Sequence, residues 1–181
     1  VNRKESEQAY RDYVKQHVVD VQAVWAALQP LCTGEAYMPE AYAFAINAQI
    51  ECHDGSKLGM NEFEGYRQWF YPAVQEMKIK ADFDLAWNHH QKHNPHHWQY
   101  WIMWQPDESK VLPMPFCYII EMLCDWGGMS VKFGDSPTQF YDKNKDTMLL
   151  HGTTKQTIGF WLRYVECAVA KVKAARAGKR T

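Results

Sequence analysis

Tyr10, Val14, His17, Val18, Val21, Trp25 and Leu28 recur at steps of mostly three and four positions, the spacing that lines one face of an α-helix. The stripe predicts a long helix over residues 5–29, ended by Pro30, whose ring and missing N–H stop the ladder. The same period returns further on, and no stretch alternates apolar and polar residues convincingly enough for a strand. Such a pattern predicts an all-α fold. Helices are expected over 39–54, 61–76 and 80–94, from Pro115 to Gly127-Gly128, from Ser136-Pro137 to about Leu149, and from Thr153 or Thr154 onward. Asn61 and Ser136 read as N-caps, Pro39 and Pro137 as first-turn prolines, and the glycines as helix ends. Residues 105–113, with Pro106 and Pro113, read as a loop. The expected architecture is a single-domain helical bundle over 1–181 of about six or seven helices, its core over about 10–170 and a basic tail over 171–181.

A chain of 181 residues, 46% hydrophobic and 14% aromatic, suffices for one sizeable core and is not disordered. Its net charge of -1 gives no electrostatic reason to expect nucleic acid or an anionic membrane as partner. Positive charge gathers only at Lys171, Lys173, Arg176, Lys179 and Arg180. It reads as the solvated end of the last helix, where cations suit the dipole, with a nucleic-acid tail as the alternative. Five cysteines, an odd number without CxxC spacing, argue against a disulfide framework or a zinc knuckle and for a reducing compartment. No apolar run reaches the roughly 18 residues of a membrane span, and no secretory pattern stands at the N-terminus. The expectation is a cytoplasmic protein, its oligomeric state open.

The chemistry concentrates around His53-Asp54-Gly55-Ser56-Lys57. Neighbouring positions on a helix point about 100° apart, so adjacent ligands converge only at a helix end, which Gly55 and Ser56 supply. A carboxylate has two oxygens and can bridge two ions. Ile46, Ile50 and His53 share a face with Tyr42, which turns His53 inward. Downstream, His89, His90, His93, His96 and His97 put five imidazoles within nine positions. His90, His93 and His97 share a face if the helix continues, although Pro95 disfavours that. The alternative is an aromatic-rich surface loop. Glu121 and Asp125 are one turn apart with no basic residue between them, in an otherwise apolar helix. His17 lies on its apolar stripe, where a lone histidine is a hydrogen-bonded core residue unless other ligands converge on it. Arg67 can reach an anionic substrate or sit on the surface. His151 receives no role.

In this order the candidates resemble the HD-domain superfamily of metal-dependent phosphohydrolases. Its members carry a histidine on an early helix, a His-Asp doublet closing another, and an aspartate on a later one. Residues 53–57 are similar to the His-Asp-x-Gly-Lys of the HD-GYP branch, with Ser56 in place of glycine. The branch's His-His-Glu-x-x-Asp-Gly-x-Gly-Tyr-Pro stretch is missing, so cyclic dinucleotide hydrolysis is not implied. More closely, the chain resembles a bacterial and phage family with His-Asp-x-Ser-Lys, Ala-Trp-x-x-His-x-x-x-Asn-x-His-His-Trp and Glu-Met-x-x-Asp-Trp patterns, here at 53–57, 86–98 and 121–126.

The resemblance implies a pair of divalent ions, of manganese, iron, zinc or magnesium. Asp54 would bridge; His17, His53 and Asp125 would complete one site, and His90 with His96 or His97 the other. It implies hydrolysis of a phosphate ester, such as a nucleotide, in a bacterial or phage-infected cell. Lys57 would offset phosphoryl charge or orient a metal-bound carboxylate, and Glu121 accept a proton or support a ligand. His89 and His93 would support ligands or touch substrate. Two rivals remain: a di-iron oxygenase built on the same ligand types, and a metal-stabilised binding module in which Trp98, Tyr100, Trp101 and Trp104 stack bases. For those four rings core packing is the alternative.

Overall fold

The computed structural model of the chain describes residues 1–178. Among these the helices are α1 (Arg3–Leu28), α2 (Glu40–Glu51), α3 (Phe63–Phe70), α4 (Lys80–His93), α5 (Phe116–Phe133), α6 (Pro137–Asn144) and α7 (Gly152–Ala177). The expected all-α bundle is what the chain forms. Two helix starts carry full capping boxes: Asn2 with Glu5 on α1, and Ser136 with Gln139 on α6, each satisfying amide donors that the first turn leaves free. No helix among the described residues is long and apolar enough to cross a membrane.

The main core lies where α1, α5 and α7 pack together, with α2 against α1 and α5. Val21, Leu28, Ile120, Leu123 and Val165 are fully buried there. A smaller aromatic core forms where the α3–α4 pair meets the N-terminal half of α1, around Tyr10, Val14, Phe63, Tyr66 and Ala86. Helix α1 serves both cores, and His17 stands on it between Val14 of one and Val21 of the other.

Several boundaries differ from the sequence expectation. Helix α5 does not end at Gly127-Gly128 but runs on to Phe133, with Gly134 as its left-handed cap at φ 91°. The two glycines serve close approach instead. A Cβ on Gly127 would lie 2.9 Å from Val24 Cγ1, and one on Gly128 would lie 2.9 Å from Val21 Cγ2 and 3.0 Å from the Val21 backbone nitrogen. Helix α2 stops at Glu51, and Asp54, not Gly55, takes the left-handed conformation, at φ 57°. Tyr42 is largely exposed. Helix α3 is shorter than expected at both ends, because Pro72 follows closely and Asn61 bonds to His89 instead of capping. Residues 105–113 are not all loop: β1 (Ile102–Met103) pairs antiparallel with β2 (Lys110–Val111). Helix α6 stops at Asn144, and His151 gains a role as the N-cap of α7, its ring accepting from the Thr153 amide. The basic tail is no free appendage through residue 177. Val172 is buried, Lys173 donates to the Asp135 carbonyl at 2.7 Å, and Arg176 pairs with buried Asp20 at 2.6 Å. Lys179 and Arg180 lie outside the described residues.

Gly128→Ala tests the close approach. Alanine favours an isolated helix by about 1 kcal/mol over glycine, but its methyl would meet the α1 backbone, and overpacking costs about 1–3 kcal/mol. Chemical denaturation should show a net loss of stability; equal or higher stability would remove the packing role given to these glycines.

Candidate metal centre

The candidate side chains reach the junction of the two cores from five different parts of the chain. Helix α1 delivers His17, and α5 delivers Asp125 and, one turn before it, Glu121. The turn after α2 delivers His53 and Asp54. It is closed by Gly55 N–H donating to the Cys52 carbonyl at 3.1 Å and Lys57 N–H to the Asp54 carbonyl at 3.0 Å. Aspartate is among the few non-glycine residues that tolerate a left-handed backbone, so Asp54 suits the turn as well as the site. The last turn of α4 delivers His90. Beyond it Asn94 is extended, at φ -117° and ψ 99°, because Pro95 forbids further helix. His96 and His97 therefore arrive from an irregular turn, and the helical phase that favoured His97 does not apply. Both come to the site.

Asp54 is the centre. Its Oδ2 lies 3.3 Å from His17 Nε2 and 3.6 Å from His53 Nε2. Its Oδ1 lies 3.2 Å from His90 Nε2 and 3.6 Å from His96 Nε2. Asp125 Oδ1 stands 3.0 Å from His17 Nε2 and 3.8 Å from His53 Nε2. Two groups result, His17–His53–Asp125 and Asp54–His90–His96–His97, the ligand atoms within each lying within 4.8 Å of one another. Both can hold a metal ion. Nε2 of His53, His90, His96 and His97, and Oδ1 of Asp54, are buried without a well-formed hydrogen bond. Unpaired buried polar atoms are rare and costly, and five aimed at one small region form a donor set that a cation would satisfy. Imidazole nitrogens mixed with carboxylate oxygens suit manganese, iron or zinc better than magnesium, which prefers oxygen ligands and water.

The opposite ring nitrogens are held by carboxylates. Glu121 Oε1 lies 2.9 Å from His53 Nδ1 and 3.1 Å from His96 Nδ1. Glu62 Oε2 lies 2.8 Å from His90 Nδ1, and its other oxygen 2.7 Å from His89 Nδ1. Ser56 Oγ donates to Glu62 Oε2 at 3.0 Å and accepts from Asn94 Nδ2 at 2.8 Å. A carboxylate on Nδ1 fixes the tautomer so that Nε2 faces inward with its lone pair. His53, His96 and Glu121 also cluster closely enough to hold an ion, but these Nδ1 bonds make Glu121 the support of two ligands.

Charge balance follows from the same contacts. Burial alone would raise the carboxyl of Asp54, but Lys57, His53, His17 and His90 outweigh it and hold the group well below the usual range. Asp125 is likewise held low against burial, by His17 and His53. Burial would lower His17, His53 and His90. Asp125 and Asp54 reverse this at His17, Asp54 with Asp125 and Glu121 pushes His53 up to about 10, and Asp54 with Glu62 raises His90. His97 goes the other way, driven well down by burial and by its neighbours His96 and His90. Lys57 Nζ sits 2.5 Å from Asp54 Oδ2.

A cavity of about 540 Å³ gives access to the centre; His17, Lys57, His97 and Asp125 are in its wall, with Tyr13 and Trp87. Three residues expected to meet substrate do not line it. Arg67 is 1% exposed and holds Glu64 at 2.9 Å, Glu76 at 2.7 Å and Ser6 at 2.8 Å, so its guanidinium ties α3 to α1 and the 71–76 segment. His89 bonds to Glu62, and His93 stacks on His89 at 3.7 Å with Nδ1 on the His89 carbonyl at 2.8 Å. Of the aromatic run, Trp98 and Trp101 pack on the core, Tyr100 is partly exposed, and Trp104 is 81% exposed. Sequence reasoning does not single out Glu62, which stands among the first residues of an expected helix like any acidic residue there, or Tyr13, whose place one turn before His17 is a usable signal. Tyr13 stacks on His17 at 6.3 Å and 12°.

Two outcomes are expected. Glu62→Gln and Glu121→Gln should each weaken metal binding about 10- to 100-fold, read by competition with a chelating dye; unchanged affinity would strip the two carboxylates of their orienting role. A ligand histidine must be free of its Nε2 proton, and His17, His53 and His90 keep protons above the ordinary imidazole range. Metal affinity should therefore rise as pH climbs through neutrality and beyond, with proton release seen by calorimetry in buffers of unlike ionisation enthalpy. Affinity flat across that range would contradict the charge balance described above.

No curated protein and no solved structure matches the chain. The model of the family of unknown function DUF5662 matches residues 6–163, nearly the whole bundle including every residue of the centre, and the chain belongs to that family.

Proposed function

We propose that this protein is a metal-dependent phosphohydrolase acting on a phosphorylated small molecule, such as a nucleotide, through a pair of divalent ions. The observation that carries the reading is Asp54, which sets one oxygen beside each of two histidine groups, with Nε2 of His53, His90, His96 and His97 buried without a well-formed hydrogen bond. His17, His53, Asp54 and Asp125 would hold one ion, and Asp54, His90, His96 and His97 the other. When bound, such ions supply positive charge for phosphoryl oxygens and make a coordinated water more acidic.

The chain's own residues do the rest. Glu62 keeps the imidazole of His90, and Glu121 those of His53 and His96, in one tautomer. Lys57 stands at the edge of the cavity with its ammonium on Asp54, placed to receive a phosphoryl oxygen as a point charge. Burial raises the worth of that charge, because little water screens it. Trp87, Met122 and Trp126 line the same cavity and restrict water around the reacting group.

Elemental analysis of untagged protein should find about two ions per chain. Asp54→Asn removes the charge but keeps a residue that tolerates the left-handed turn; it should lose both ions, and retention of either would end the bridging role. Phosphate release from a panel of monoesters should follow metal loading. Lys57→Ala should keep its metal and lose on the order of 10²-fold in kcat, as removal of one charge-stabilising donor does elsewhere. Iron with oxygen uptake and no phosphate release would favour the oxygenase. A loaded protein inert in both assays would leave the binding module.

A further inference from the structure

A second cavity, also of about 540 Å³, adjoins the first and shares Tyr13, Lys57, Trp87, Met129 and Phe133 with it. Its character is different. Tyr66, Phe70 and Phe83 form interlocking walls: Phe83 meets Tyr66 edge-on at 5.6 Å and Phe70 edge-on at 5.5 Å. The polar groups facing it are few. Lys57 Nζ lies 5.6 Å from the Tyr66 ring centre, and Lys132 Nζ lies 3.7 Å over the Tyr13 ring. No carboxylate lines it.

We infer that this second chamber seats a flat, uncharged ring of the substrate with acceptor atoms on its edge, while the phosphoryl group lies across Lys57 in the first. This rests on the phosphohydrolase reading for the phosphoryl half only. Aromatic walls favour a flat partner through stacking and edge contacts. The lysines decide its charge: a cage for a cation would be repelled by Lys57 and Lys132, whereas an acceptor edge gains from both. Lys57, common to both cavities, marks the neck where ring and phosphate join.

Phosphonates cannot be hydrolysed and so report binding alone. Calorimetry on manganese-loaded protein would compare 4-nitrobenzylphosphonate, 2,3-dihydroxypropylphosphonate and 2-(trimethylammonio)ethylphosphonate. The aromatic compound should bind about tenfold or more tighter than the dihydroxypropyl one, in line with the value of one stacked ring. Phe70→Ala, which removes one wall ring of the second chamber and touches no residue of the centre, should cost the aromatic compound about fivefold or more and leave the dihydroxypropyl compound unchanged. Equal affinities for the aromatic and dihydroxypropyl compounds, or an unaffected Phe70→Ala, would overturn the inference. Tightest binding of the trimethylammonium compound would overturn it in favour of a cation cage. A tenfold ring preference in a protein that releases phosphate from no ester would support the chamber and sink the hydrolase, so the two failures are distinguishable.

Discussion

A carboxylate buried to 1% exposure must be compensated or neutralised, and the arrangement around Asp54 answers that demand. Lys57 meets one oxygen, His17 and His53 approach the same side, and His90 and His96 approach the other. His53, His90 and His96 each bring a need for a partner on the far nitrogen, which draws Glu62 and Glu121 into the interior. Glu62 in turn draws in Ser56 and, through it, Asn94. A single buried charge thus organises residues from α1, the α2 turn, α4, the turn beyond it and α5.

The fold accommodates this polar interior by splitting its apolar core. One cluster lies between α1, α5, α7 and α2, the other between α1 and the α3–α4 pair. The polar network occupies the seam. The aromatic cluster supplies more than stability, since Tyr10, Tyr66 and Phe83 belong to it and also face the second cavity. Packing and recognition are therefore served by the same rings.

Helical period and the His/Asp spacing made the bundle and most members of the centre legible in the sequence. What stayed hidden has physical causes. Gly127-Gly128 read as a stop because glycine is a poor helix former, but close contact with α1 repays that weakness, and no local pattern announces a partner so distant in sequence. Asp54 took the left-handed position expected of Gly55 because its side chain is needed where that turn points. Pro95 broke the helical phase on which the choice between His96 and His97 rested, so both became available. Glu62 looked like any acid in a first turn, since its importance arises only when α3 and α4 pack. Arg67 carried a charge that suggested a ligand, and folding placed three partners around it first.

The glycine contact between α5 and α1 has a mechanical consequence. Val21 comes so near Gly128 that a Cβ there would meet both its side chain and its backbone; Val21 lies one turn along α1 from His17, and Gly128 about one turn along α5 from Asp125. The two helices therefore sit at close range beside the His17–Asp125 pair, whose atoms are 3.0 Å apart. The clearance at Gly128 therefore sets how near the α1 and α5 contributions to the centre stand to each other, through a residue that touches neither of them.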